Sequence, residues 1–306
     1  MNVVFMGTPV FAAEVLQGLL DANYNISLVV TQPDKLVGRK QVLEFSSVKK
    51  LALENNIEVF QPVKIKSDYQ RILDAKPDII ITCAYGQIIP GVLIDYPKYR
   101  CVNVHASLLP KLRGGAPIQK SIIYGCEKTG ITIMYMDRKM DSGDILSQEE
   151  VVIEYKDTYQ SLSDKLMKVG TNLLLNTLPS IFDGSVKPIK QDESEVTFAY
   201  NISREEEKID FNKTSLEIYN QVRGLNPNPV SYALLENNII KIYESEIVDY
   251  NGNEACGTIL PGKELIVKTL DGAIKILKLQ LAGKNIVTGK EFVNGSFKKF
   301  KTNIFE

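Results

Sequence analysis

Short apolar runs and amphipathic stretches alternate through the first 190 residues. Asn2 to Met6 is an apolar run of strand length, and Gly7-Thr8-Pro9 turns it into a helical pattern carried by Phe11, Val15, Leu16 and Leu19. Thr8 is placed to cap that helix and Pro9 to fill its first position. Ile26 to Thr31 reads as a second strand, so the chain opens as a βαβ unit, which implies a parallel pair and a right-handed crossover. The same reading predicts a capped helix over Ser46 to Asn55, a strand over Ile57 to Gln61, a helix over Tyr69 to Ala75 and a buried strand over Asp78 to Cys83. Further on come a strand ending at His105, a helix over Ala116 to Tyr124 and a β-rich run over Gly130 to Met136. A long helix over Thr158 to Phe182 has leucines at Leu162, Leu166, Leu173 and Leu174.

Beyond Pro188 the pattern changes. Gln191 to Lys208 is polar and reads as a linker that is partly helical. A short helix over Leu216 to Arg223 and the turn Asn226-Pro227-Asn228-Pro229 then lead into short strand-like runs. These cover Val230 to Leu235, Ile239 to Ile247, Gly257 to Ile259, Leu265 to Thr269 and Ala273 to Leu281, separated by turn signals such as Asn251-Gly252 and Asp271-Gly272. The expected architecture is α/β: a Rossmann-like, mostly parallel sheet domain over residues 1–189, a linker over 190–208, and a small antiparallel, OB-like β-barrel over 209–306. The basic run Lys298-Lys299-Phe300-Lys301 suits either a phosphate contact or a frayed, solvated end.

Composition narrows the function classes. The chain has 306 residues, enough for two cores, and a formal net charge of −1, which excludes a globally basic nucleic-acid binder while leaving room for a local basic patch. Cys83, Cys101, Cys126 and Cys256 show no CxxC spacing, so no metal site is expected. No apolar run reaches the ~18 residues of a membrane span, and the start MNVVFMGTP has no basic n-region. A soluble cytoplasmic protein is the expectation. GTPVFA lacks the second and third glycines of a dinucleotide fingerprint, which argues against NAD.

Candidate chemistry centres on RCVNVHASLLPKLRGGAPIQ, Arg100 to Gln119, which holds the one histidine of the chain. Asn103 and His105 stand two apart on a strand and share a face near its C-terminal end, where open α/β sheets bind ligands; a catalytic pair fits them, and so does a hydrogen-bonded core histidine with a turn-forming asparagine. The loop TQPDKLVGRKQ carries Lys35, Arg39 and Lys40; a basic finger for a polyanion and a solvated surface loop both fit it. Ala84-Tyr85-Gly86-Gln87-Ile88-Ile89-Pro90 follows a strand end, where backbone groups could bond a heterocycle or make an ordinary turn. In MDRKMDSGDIL three acids, Asp137, Asp141 and Asp144, crowd one loop, and clustered Asp and Gly also make turns.

Taken together, FMGTPVFA, TQPDKLVGR, AYGQIIP, NVHASLLPKLRGGAPIQ, MDRKMDSGDIL and GLNPNP followed by AGK resemble the methionyl-tRNA formyltransferase family along nearly the whole chain. The NxHxSLLP and DxG elements resemble the pattern shared by 10-formyltetrahydrofolate-dependent formyltransferases. The sequence departs from the family's usual GRGKK at Gly38-Arg39-Lys40-Gln41-Val42, from NPWP at Asn228, and from Gly-Ala at Gly114-Gly115. The resemblance implies formyl transfer from 10-formyltetrahydrofolate to methionyl initiator tRNA by a monomer. In it Asn103 and His105 would meet a negatively charged oxygen, and Asp141 would orient His105 and pair with its charged form. It also implies a folate site over Tyr85, Gly86, Gln87, Ile88, Ile89, Ser107, Leu108, Leu109 and Pro110, with Lys35, Arg39 and Lys40 toward tRNA. A nucleotide-sugar N-formyltransferase sharing that folate site, and a catalytically silent RNA-binding protein of the same fold, are the alternatives; the presence of Asn103, His105 and Asp141 together argues against the second.

Overall fold

The computed structural model describes residues 1–37 and 41–306, in two compact units: Met1–Pro117 with Lys128–Val152 and Ser163–Tyr200, and Ile118–Glu127 with Ile153–Leu162 and Asn201–Glu306. The first unit is built on a seven-stranded sheet. Its elements in order are β1 (Asn2–Gly7), α1 (Val10–Asp21), β2 (Asn25–Val30), β3 (Lys35–Val37), β4 (Val42–Glu44), α2 (Ser47–Glu54), β5 (Val59–Phe60), α3 (Gln70–Asp74), β6 (Ile79–Cys83), α4 (Gly91–Asp95) and β7 (Cys101–His105). After α5 (Pro117–Ile123) come β8 (Lys128–Tyr135), β9 (Ile145–Val152) and α6 (Tyr159–Asp183).

Strand order is β5-β2-β1-β6-β7-β8-β9, parallel through β7 and antiparallel at β8 and β9. The run of fully buried residues Val3 to Met6 and Ile79 to Ile81 explains why β1 and β6 lie at the centre, since a strand covered on both faces reads as continuous apolar sequence. Strand order reverses between β1 and β6, and the C-terminal side of such a reversal is where open α/β sheets leave a crevice. A Cβ on Gly7, at the end of β1, would lie 2.9 Å from the Cys83 carbonyl oxygen of β6, so glycine there lets the two strand ends close up.

Several local expectations are corrected. Thr8 does not cap α1: Pro9 is the N-cap residue, while the Thr8 hydroxyl donates to the Tyr85 carbonyl at 3.0 Å, tying β1 to the loop after β6. The stretch read as a loop from Thr31 holds a small hairpin, β3 with β4, whose Leu36, Val42 and Leu43 stand exposed. Ser46 does cap α2, accepting from the Lys49 N–H at 3.0 Å. Strand β9, SQEEVV in its exposed part, was missed because an edge strand needs no continuous apolar run.

The second unit carries α7 (Arg204–Glu207), α8 (Ser215–Gly224), β10 (Ser231–Leu235), β11 (Asn238–Val248), β12 (Ile266–Lys268), β13 (Ala273–Leu281), β14 (Ile286–Thr288) and α9 (Gly289–Asn294). Antiparallel pairing runs β10-β11-β13-β12, with β14 also on β13, around an apolar core that includes Ile218, Ile242, Val267, Ile274 and Phe292. Gly257 to Ile259, read as a strand, makes single-residue bridges only, Ile259 to Val267 and Thr258 to Ile304. Glu306 in turn exchanges backbone bonds with Leu234 at 2.9 and 3.3 Å, so the last residues span the open side of the curled sheet. They are not frayed: Phe305 is buried and stacks on Phe211.

Candidate active site

Strand β7 supplies the two residues that sequence singles out. Its parallel register on β6 sets Asn103 against Thr82, and its antiparallel register on β8 sets His105 against Thr132. The buried Thr82 hydroxyl donates to Asn103 Oδ1 at 2.8 Å, which fixes the carboxamide's oxygen end on β6 and turns its N–H2 end away from that strand. His105 is 6% exposed. Its Nε2 lies 3.2 Å from the Leu112 carbonyl, a group that can only accept, so Nε2 carries a proton and donates. Its Nδ1 faces Asp141 Oδ2 at 3.7 Å, too long for a hydrogen bond but close enough for charge attraction.

Asp141 reaches that position from the loop after β8. Its backbone is left-handed, φ 48°, and the same Oδ2 accepts the Gly114 N–H at 2.8 Å. Two residues later a Cβ on Gly143 would sit 1.8 Å from the Tyr135 carbonyl oxygen, so the DSG turn can close on β8 only with glycine there. Gly114, φ 127°, would meet the Ala199 carbonyl oxygen at 2.6 Å if it bore a Cβ. Asp137, by contrast, accepts from the next residue's N–H at 2.7 Å, a turn contact.

The loop after β7 is braced from β8 and β9. Thr132 donates to the Ser107 carbonyl at 2.6 Å and accepts from the Leu109 N–H at 3.1 Å, while Gln148 donates to the Leu109 carbonyl at 2.8 Å. Ser107 is fully buried and its hydroxyl donates to the Lys111 carbonyl; Leu109 is buried too, while Leu108 and Pro110 are half-buried.

The loop after β6 is arranged differently. Tyr85 and Ile89 turn into the apolar core, and burial pushes the Tyr85 phenol up to about 12. Gln87 also faces inward, accepting from the Ile65 N–H at 2.9 Å and donating to the Pro62 carbonyl at 3.2 Å. Gly86, at φ 91°, turns the chain, and Ile88 stands 86% exposed. Of the basic residues proposed from sequence, Lys35 lies exposed on β3, and Arg39 and Lys40 fall outside the described residues. Among the described residues no cluster of His, Cys, Asp or Glu is arranged to hold a metal ion, and no helix is long and apolar enough to cross a membrane.

A polar, braced strand end beside a sheet reversal is where open α/β sheets bind ligands. The formyl transferase family model matches residues 1–178, and the model of the formyl transferase C-terminal domain matches residues 201–296. Methionyl-tRNA formyltransferase of Bacillus cereus (strain B4264) is 48% identical over the whole of this chain and 99% of its own length. The enzyme of the same name from Bacillus anthracis (strain CDC 684 / NRRL 3495) is 48% identical over the same span. Among solved structures, the sugar 3N-formyltransferase WlaRD, determined with dTDP and 5-N-formyl-THF, is 25% identical, with a TM-score of 0.67 over 93% of this chain and 99% of its own. HypX from Aquifex aeolicus in complex with tetrahydrofolic acid is 15% identical at a TM-score of 0.68, covering 98% of this chain and 48% of that one, and supports the fold alone. The chain belongs to the formyltransferases and, within them, to the methionyl-tRNA formyltransferase family.

Sequence reasoning singled out Asn103, His105 and Asp141, and the structure places His105 and Asp141 3.7 Å apart, but sequence did not show what holds them. Thr82 had a signal, a hydroxyl in an otherwise apolar buried strand; Gln191, described below, had none.

Proposed function

We propose that this chain transfers the formyl group of 10-formyltetrahydrofolate to the α-amino group of methionyl initiator tRNA, the reaction for which its 48%-identical relatives are named. The folate donor supplies an activated formyl carbon. The observation that carries the reading is the convergence of Asn103, His105 and Asp141 on one strand end, with the imidazole 3.7 Å from the carboxylate. Negative charge that gathers on the formyl oxygen needs preorganised donors, and the Asn103 N–H2 and a His105 N–H are of the right kind. The His105 Nε2–H donates to the Leu112 carbonyl at 3.2 Å, and it can serve the formyl oxygen by exchanging that partner. Asp141 balances the charge of an imidazolium during transfer.

The loop after β6 would take the folate ring through its backbone more than through its side chains. Tyr85, Gln87 and Ile89 have their side chains committed inward, which leaves the backbone around Gly86 and the exposed Ile88 as the surface for a flat heterocycle. Lys35 projects from the exposed hairpin, where a cation suits tRNA phosphate.

The test is incubation with 10-formyltetrahydrofolate and either methionyl initiator tRNA or an amino-sugar nucleotide. Formylation of the tRNA alone is expected. Transfer to the sugar in preference to the tRNA would overturn the acceptor assignment while leaving the folate site standing.

A further inference from the structure

We infer that Gln191 is a positioning residue, clamping the Asp141 turn against His105 from the polar segment between the two family domains. Its side chain makes four contacts. Oε1 accepts from Arg113 Nε at 3.0 Å and Nη2 at 2.8 Å, and Nε2 donates to the carbonyls of Asp141 and Gly143 at 2.8 Å each. The carboxamide's orientation is set by chemistry: guanidinium can only donate and carbonyls can only accept, so the flipped rotamer would face donor to donor. Arg113 is itself buried and held from its far side by Glu193, whose carboxyl it keeps below the usual range.

The contact matters because of what it holds. Asp141 sits in a left-handed conformation that disfavours a residue with a Cβ, and its carboxylate, 3.7 Å from His105, depends on where that turn lies. Gln191 bonds the backbone on both sides of Ser142, and Asp141 Oδ2 closes the circuit by accepting the Gly114 N–H, next to Arg113. Arg113, Gln191 and the turn therefore form one braced unit. Backbone pairing reinforces it, with Ile189 bonded both ways to Ile145 and Arg113 to Thr197 and Ala199.

The two ends of Gln191 can be separated by substitution. Gln191→Glu keeps an acceptor for Arg113 and makes that contact charge-assisted, but replaces the donor to the two carbonyls with a second acceptor. Gln191→Leu, close in shape, removes both. If Gln191 acts only as a structural partner of Arg113, Gln191→Glu should behave as wild type and Gln191→Leu should not. If it positions Asp141, both variants should lose kcat by about tenfold to a hundredfold, the scale of a small misplacement of catalytic groups, with KM for the formyl donor little changed. The kinetic arm rests on the proposed formyl transfer. A second arm does not: the chain has one histidine, so in protein prepared without a histidine tag the His105 ring gives a single, unambiguous NMR signal. That signal should move in Gln191→Glu in the direction it moves in Asp141→Asn. A ring signal unchanged from wild type, in a variant that melts like wild type, would overturn the inference whatever the acceptor proves to be.

Discussion

The ends of β6 and β7 lie side by side in one sheet, yet they are built on opposite plans. At β7 the polar side chains face one another: Thr82 fixes Asn103, Thr132 and Gln148 fix the Ser107 to Leu109 backbone, and Gln191 fixes Asp141. Thr82 reaches across from β6 itself, but in the loop that follows β6 the polar and aromatic side chains turn away, Tyr85 into the core and Gln87 onto the Ile65 backbone, leaving peptide groups and the Ile88 side chain outside. Catalysis rewards donors held in place before charge develops, whereas recognition of a flat heterocycle needs an accessible edge of backbone and an apolar face. We propose chemistry at the end of β7 and binding at the loop after β6, a contrast that can be broken by variants that should act on kcat at the first and on KM at the second.

The largest losses should come from β7. Asn103→Ala and His105→Ala each remove a donor proposed to meet the developing negative oxygen, and loss of one such donor costs about 100- to 1,000-fold in kcat. Both variants should keep the wild-type melting temperature within a few degrees. Near-wild-type turnover in either well-folded protein would remove that residue from the reaction. Asp141→Asn, nearly isosteric, comes next: it should lose most of the activity by leaving the imidazolium uncompensated, while Asp137→Asn, a change to a turn contact, should stay within about twofold, an ordinary surface effect. If Asp137→Asn proves the more damaging, the acid has been misassigned within its loop.

These proposed residues could be singled out from sequence because their candidate chemistry lies in the side chain and at fixed spacings. Asn103 and His105 two apart on an apolar strand, and Asp141 beside Ser142-Gly143, could be read from sequence. The central strands were legible for a related reason, since a strand buried on both faces is apolar throughout. What escaped reading acts through the backbone or through exposed edges. Gln191 lies in a stretch read as linker, and nothing local marks a glutamine that will bond two carbonyls fifty residues away. Thr8 looked like a helix cap because capping is decided locally, yet its hydroxyl found a better placed partner in the Tyr85 carbonyl of the loop after β6. Strand β9 and the bridges made by residues 303–306 are pairings of exposed or single residues, for which periodicity carries little signal.

A smaller effect should separate support from chemistry at β7. Thr82→Val keeps the volume and the strand propensity but removes the hydroxyl that orients Asn103, so kcat should fall about five- to tenfold, less than loss of the carboxamide itself. Thr82→Ser should restore most of it. Equal turnover in Thr82→Val and wild type would mean that Asn103 finds its orientation without β6. On the β6 side, Ile88→Ser should raise KM for the formyl donor a few-fold and leave kcat alone, as one apolar contact contributes about 1 kcal/mol to binding.

The smallest effect is expected where β6 has turned a polar atom inward with nothing to meet it. The Tyr85 hydroxyl is buried without a hydrogen-bond partner among the described residues, and such a group costs stability because it gives up its water, on the order of 1–3 kcal/mol. Tyr85→Phe removes the oxygen and keeps the ring against the core, so the melting temperature should hold or rise by a few degrees with turnover unchanged. The alkaline limb of stability gives the sign independently. With the phenol pushed up to about 12 in the folded protein, against about 10 when unfolded, the unfolded chain releases a proton that the folded one retains. Stability is therefore complete below pH ~10 and falls as pH rises toward ~12. Tyr85→Phe should flatten that part of the profile. A melting temperature lowered by the substitution would show that the hydroxyl has a partner after all, and would move Tyr85 from the core to the binding surface.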